Sequence, residues 1–412
     1  MTLSAVTVLN PRHRSLRPLA TGLLWLSLFF SVTTGCKSEA AQPAPTATPA
    51  TPVATHLISS TLIGEYSPAV LAQRVSSVPL AGALAQYPIR VYKLTYSTQN
   101  PAGQTITASG ALLVPVASQP LSLLSYQHGT IQPDEERRAP SYYSSSSEVW
   151  SAVSLLASTG YVVSAPDYIG YGASKAQAHP YEHGPSLASA SLDMMRAARE
   201  FCQREKLPLN QKNFLLGYSE GGYATMALHK LMEEKYAREF TVTASAPGAG
   251  AYHKTVFANY ILSSDKPLSF LSSYVWVLDT YNKVYGINRP FPYYFNQPWA
   301  GQLQLNPFSA VPTKATELFT ATFRQAILSN TDQPMRTAFL NNDVYDWKPT
   351  APLALFHGTA DDYVPYFNSE DAYKAMRSRG ATQVELHPIE GGNHFTSAAR
   401  YTLEAFAFIS RY

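Results

Sequence analysis

Short apolar runs alternate with longer stretches in which apolar residues recur at helical spacing, from about residue 90 to the end of the chain. Arg90–Thr95, Ala108–Val116, Leu121–Tyr126, Tyr161–Ala165, Asn213–Leu216, Phe240–Ala244, Leu353–Phe356 and Thr382–Leu386 are apolar or β-rich, and each is predicted as a strand. Helices are predicted between them. Val149, Val153, Leu156 and Ala157 follow helical spacing, with Ser145-Ser146-Ser147-Glu148 fitting a capping box before them and Gly160 where a C-cap belongs. Leu187–Glu205 is amphipathic, and Ala224, Ala227, Leu228, Leu231 and Met232 form one apolar face after the next strand. Ser369–Arg379 and a closing helix carrying Leu403, Phe406 and Ile409 complete the series. Strands alternating with helices in this way imply an α/β fold, a mostly parallel sheet with helices on both faces. From about 250 to 350 the alternation lapses into a stretch rich in Tyr, Phe, Pro and Leu, including Phe291–Phe295 and a helical candidate at Ala315–Leu328. It reads as a largely helical insertion, either a cap or lid over a site or a packing subdomain without substrate contact.

The first residues follow another pattern. Arg12, Arg14 and Arg17 precede the apolar run Leu19 to Val32, so residues 1–35 read as a signal segment rather than a membrane span, for which the run is too short. Residues 36–60, rich in Pro, Ala and Thr, read as a flexible tether, leaving 61–412 as the folded domain. The 412-residue chain has net charge +3 and only 14% charged residues, which suits one large domain with an insertion and gives no electrostatic case for nucleic acid. Apart from Cys36 the one cysteine is Cys202, on a helical stripe with Leu187, Met194, Ala198 and Phe201, so it reads as packing and no disulfide framework is available to the folded domain.

The chemistry gathers in three places. Gly217-Tyr218-Ser219-Glu220-Gly221-Gly222 lies between a predicted strand and a predicted helix; a serine on so tight a turn needs neighbours without bulk, and three glycines supply that. The segment is read as a nucleophile elbow. A serine hydroxyl needs an imidazole to take its proton, and the imidazole needs a carboxylate to hold its tautomer. His394 sits in the loop between the last predicted strand and the last helix; Asp361 and Asp362, in the loop after Leu353–Phe356, compete for the acid role. His179, His183, His229, His253, His357 and His387 lack such a context and are read as surface or packing residues, with His253 considered as a pocket neighbour. Asp167, after the strand Tyr161–Ala165, is read as a turn carboxylate, and the polar loop 131–146 as a border of the site mouth. His179 and His183 are separated by a proline and show no third ligand, and neither a phosphate loop nor a dinucleotide fingerprint is present, so no metal or cofactor is expected.

These motifs, in this order, resemble the α/β-hydrolase superfamily across most of residues 85–412. The resemblance is to the secretory lipase-like esterases above all, on the insertion, the Gly-Tyr-Ser-X-Gly-Gly pattern and the Asp-X-X-Val-Pro pattern, in which Asp361 rather than Asp362 stands three residues before Val364. It implies a catalytic triad of Ser219, Asp361 and His394 in that chain order. Gln127-His128-Gly129-Thr130 resembles the oxyanion loop of lipases and esterases, which implies that the amides of Thr130 and Glu220 form the oxyanion hole. Thr33-Thr34-Gly35-Cys36 resembles a bacterial lipobox, implying lipidation of Cys36; ordinary signal cleavage is the alternative, with Cys36 an incidental thiol. The expectation is an exported serine hydrolase, anchored through a lipid at Cys36 to a bacterial membrane on the periplasmic side or the cell surface, cleaving small-molecule or lipid esters through an acyl-enzyme. A peptidase or acyltransferase with the same triad, or a catalytically silent binding protein on the same scaffold, are the alternatives.

Overall fold

The structure is a computed structural model, and it describes residues 55–78 and 81–412. The signal segment 1–35, the lipobox with Cys36 and the tether up to residue 54 lie outside the described residues. Among those described, the chain forms one nine-stranded sheet in the order β1-β2-β3-β5-β4-β6-β7-β8-β9. The strands are β1 (Leu57–Tyr66), β2 (Ile89–Gln99), β3 (Thr105–Pro115), β4 (Leu121–Gln127), β5 (Tyr161–Pro166), β6 (Leu209–Tyr218), β7 (Val242–Gly248), β8 (Leu353–Gly358) and β9 (Val384–Ile389). From β5 through β4, β6, β7 and β8 to β9 every pair is parallel, while β1, β2 and β3 form an antiparallel edge.

Burial explains both faces. Helices Gly184–Arg204 and Glu220–Lys235 cover one face with Leu187, Met194, Phe201 and Leu228. Helices Ala152–Ser158 and Ser397–Ile409 cover the other with Val153, Leu156, Tyr401 and Phe408. Parallel strands sheathed on both sides read as nearly continuous apolar runs, which is why β4, β5 and β8 stand out in the sequence. Cys202 is a buried free thiol, and burial pushes it up to about 12, so it is an apolar filler at neutral pH.

The tether expected over 36–60 is corrected at its C-terminal end. Residues 57–60 already belong to β1, which pairs with β2 from Leu57↔Tyr96 to Tyr66↔Ile89, and Glu200 accepts the amides of His56 and Leu57. Backbone pairing does not require an apolar face, and Ile58, Leu62 and Ile63 are exposed on this edge strand, so hydrophobic rhythm could not mark it. The capping box expected over Ser145–Glu148 is also absent. A 3₁₀ turn, Glu148–Trp150, precedes the helix, and the Glu148 carboxylate accepts the Tyr126 hydroxyl at 2.7 Å.

Between β7 and β8 the chain is helical, from Lys254–Ser263 to Gln333–Asn341. The helix expected over Ala315–Leu328 is broken into Ala315–Leu318 and Ala321–Leu328, because Thr320 turns out of the helix and accepts the amide of Phe323 on its hydroxyl. This segment has its own aromatic core, built on Phe257, Phe270, Tyr274, Phe319 and Phe323, which continues into Tyr181 and Val364 of the sheet's loops.

Candidate active site

Ser219 leaves β6 with φ 62° and ψ −125° before the helix Glu220–Lys235 begins. That left-handed conformation costs a residue with a Cβ about 1–3 kcal/mol and persists only where packing dictates it. The packing is visible at the three glycines. A Cβ on Gly217 would lie 2.4 Å from Gly221 O, one on Gly221 2.1 Å from Gln127 O, and one on Gly222 2.0 Å from Gly248 O. Ser219 N–H donates to Gly248 O at 2.9 Å, tying the turn to β7.

The parallel strands bring their C-terminal ends to one rim. Gln127 pairs with Gly217, Tyr218 with Gly248, and Gly248 with Phe356. The loops after β8 and β9 therefore open beside the elbow. His394 Nε2 stands 2.8 Å from Ser219 Oγ, and His394 Nδ1 stands 2.7 Å from Asp361 Oδ2. Asp361 Oδ1 accepts the amides of Tyr363 and Val364 at 2.9 and 2.8 Å. Burial would raise this carboxyl, but hydrogen bonds from His357 and His394 hold it at about 2. An ionised carboxylate only accepts, so Nδ1 of His394 carries the hydrogen and Nε2 is left to accept from Ser219. Asp362, the competing acid, is exposed and takes no part in these contacts.

Beside the elbow, β4 delivers Gln127-His128-Gly129-Thr130. A Cβ on Gly129 would lie 3.8 Å from Ser219 Cβ, so this loop lies against the serine. Gly129 N–H points to Glu148, His128 Nδ1 to Gly129 O, and Thr130 Oγ1 to the Tyr181 hydroxyl. The amides of Thr130 and Glu220 donate to no acceptor among the described residues.

The secretory lipase family model matches residues 143–271, which hold the elbow, and the prolyl oligopeptidase family model matches residues 299–412, which hold Asp361 and His394. None of the curated protein sequences compared with the chain matches it. Among solved structures, a ligand-bound form of the rice cell wall degrading esterase LipA from Xanthomonas oryzae is 30% identical, with a TM-score of 0.72 over 86% of this chain and 96% of that one. The chain belongs to the α/β-hydrolase superfamily. A Legionella pneumophila protein agrees in fold at 27% identity (TM-score 0.76, 86% of this chain and 98% of that one). Candida antarctica lipase A in its closed state shares the fold at 16% identity (TM-score 0.63, 86% and 81%). The secretory lipase match and the likeness to LipA make the protein a serine hydrolase of the lipase and esterase kind.

In this α/β-hydrolase the site is held by residues that the sequence did not single out. His357, read as a surface or packing residue, is buried; its Nε2 donates to Val364 O at 2.7 Å and lies 3.3 Å from Asp361 Oδ2. Its place in the wholly apolar run of β8 was the available signal. His179 is buried too, with Nδ1 at 2.7 Å from Ile169 O and Nε2 at 2.8 Å from Glu220 Oε1. A glutamate directly after the elbow serine must be buried with its helix, and such a charge demands a partner; that demand was the signal. Tyr363 stacks on the His394 ring at 5.0 Å between centroids, and the Tyr218 hydroxyl donates to His394 O at 2.7 Å, so both the ring and the backbone of His394 are held.

Other expectations move. His253 stacks on Tyr345 and pairs with Asp371 rather than lining the space beside Ser219. Asp167 keeps the structural role expected of it, buried and accepting from the Ser109 hydroxyl at 2.6 Å and Ser141 N–H at 2.7 Å. The loop 131–146 folds into 3₁₀ turns, and its Pro133 and Glu136 line a groove of about 580 Å³ that does not include Ser219. The space at Ser219 is much smaller, about 20 Å³, and is walled by Tyr181, Phe257, Phe270, Tyr274 and Tyr363. Among the described residues no cluster of three or more His, Cys, Asp or Glu is arranged to hold a metal.

Proposed function

We propose that the protein is a carboxylic ester hydrolase working through an acyl-enzyme on Ser219. The observation that carries this reading is the unbroken relay from Asp361 through His394 to Ser219, with links of 2.7 and 2.8 Å, at the tip of a strained elbow. Ser219 Oγ attacks the ester carbonyl while His394 Nε2 takes its proton; Asp361 steadies the imidazolium. The amides of Glu220 and Thr130, free of other acceptors, receive the developing oxyanion, and donors of this kind are worth about 3–4 kcal/mol each. His394 then returns the proton to the leaving alcohol, and water repeats the sequence to release the acid. The aromatic segment over the pocket serves as the cap under which the substrate lies.

The test is a chain-length series of p-nitrophenyl esters on wild type beside Ser219→Ala, with fluorophosphonate labelling as the second readout. Turnover and labelling lost together in the variant support the reading; ester turnover that survives Ser219→Ala contradicts it. The match of residues 299–412 to the prolyl oligopeptidase family favours a peptidase as the second reading, since the same relay serves amides. Faster turnover of aminoacyl amides than of aryl esters selects it. A silent scaffold would not be labelled.

We also propose export and anchoring, on Arg12, Arg14 and Arg17, the run Leu19 to Val32 and the small residues before Cys36. In a bacterial host, metabolic labelling with a palmitate analogue should mark the wild type and not Cys36→Ser; equal labelling of both contradicts an anchor at that residue.

A further inference from the structure

Glu182 is the group in the pocket that the chemistry above does not use. It lines the space beside Ser219 although its side chain is nine-tenths buried. Its backbone is left-handed, with φ 51°, a conformation that a glutamate keeps only when its surroundings impose it. The surroundings do so at three points. Its N–H points to Glu220 Oε1, its carbonyl accepts the Tyr281 hydroxyl at 2.8 Å, and Oε2 is paired with the buried ammonium of Lys254, which itself lies over the Tyr223 ring. Oε1 has no hydrogen-bond partner among the described residues. The Tyr274 hydroxyl, on the same pocket wall, is buried and also without a partner. Beyond burial, the Glu182 charge raises the phenols of Tyr274 and Tyr363. Glu182 and Tyr274 thus share the wall of the pocket that holds Ser219.

An otherwise aromatic pocket with two unfilled hydrogen-bonding groups is built to orient a ligand's polar atom. Burial raises the Glu182 carboxyl, but the Lys254 ammonium paired with it favours the charged form. An ionised carboxylate can only accept, so the ligand must donate; a phenol hydroxyl can donate back. Lys254 already balances Glu182, and a second cation in so small a space would bring an uncompensated buried charge. A neutral hydroxyl meets both demands.

Resting on the ester reading, we propose that Glu182 determines specificity: its free oxygen, with the Tyr274 hydroxyl, receives a hydroxyl carried by the substrate, so the preferred substrates are neutral hydroxylated esters. Matched pairs separate the two places where that hydroxyl can sit. Hydroxybutyrate against butyrate esters of p-nitrophenol probe the acyl side, and hydroxyethyl against propyl esters of butyric acid probe the alcohol side. In wild type the hydroxylated member of one pair should have the higher kcat/KM by at least about tenfold, since a site built for a hydroxyl discriminates strongly against its absence. In Glu182→Leu combined with Lys254→Met, which removes both charges together, that ratio should fall to within about threefold, and Tyr274→Phe should lower it in part. Fluorophosphonate labelling reports whether the double variant has a formed site; if it does not, the Tyr274→Phe ratio decides. Equal turnover within both pairs by active wild type, or a preference unchanged in the variants, overturns the inference while leaving the ester reading intact. No turnover of any ester together with no labelling of Ser219 overturns the ester reading and this inference with it.

Discussion

Ser219 is held in a backbone conformation that glycine adopts freely, and the cost of that conformation belongs to the folded state. Ser219→Gly should therefore be more stable than Ser219→Ala by about 1 kcal/mol, read as the difference in denaturation midpoint between two variants that are both inactive. Asp361→Asn keeps the shape of the acid but lets the amide donate, which turns the His394 ring toward the wrong tautomer. It should lower kcat by about 10³- to 10⁴-fold with little change in KM. Ser219, Asp361 and His394 were legible because each follows a strand and carries a local signature of glycines or of Asp-X-X-Val-Pro. Their supports were not. His179 meets Glu220, Lys254 meets Glu182 and Glu148 meets Gly129 across long sequence separations, and a polar pair leaves no periodicity along the chain.

At the scale of elements, the rim depends on how closely β4, β6 and β7 approach. Gly221→Ala would force the end of β4 away at Gln127 O and carry Thr130 with it. It should lose ester turnover by about tenfold or more, beyond any loss of folded protein, as measured by activity per labelled site. Glu233, on the helix after the elbow, accepts the amides of Thr350 and Ala351 just before β8 and the Nε2 of His229. Burial works against its charge, but those bonds hold it at about 2. Glu233→Gln should cost about 1–3 kcal/mol of stability, seen as a lower melting temperature. Strands covered on both sides declared themselves by apolar runs, whereas β1 did not, because an exposed edge strand is stabilised by main-chain bonds and leaves no hydrophobic trace.

Over the whole molecule, pH separates the groups that hold the fold. His183, buried at the start of the helix Gly184–Arg204, is pushed down to about 4 by burial, against an ordinary value near 6.5. The unfolded chain takes up that proton first, so stability should fall by up to about 3 kcal/mol as pH drops from 6.5 to 4. His183→Asn should flatten that limb in urea titrations at several pH values. Asp361 and Glu233 have the depressed values of paired carboxylates, so their contribution is present above about pH 4 and is lost only as pH falls toward 2. The insertion was legible as a break in the alternation of strands and helices, but its place against Tyr181 and Val364 was not, since aromatic composition carries no direction. The central claim is that acyl groups pass through Ser219. Rapid-quench mass spectrometry of wild type mixed with a p-nitrophenyl ester tests it directly. The account predicts a transient adduct of one acyl mass, mapped to the peptide containing Ser219, that decays as product forms. Steady turnover with the acyl group on another residue, or with no acyl-protein in excess of the quenched blank, would contradict it.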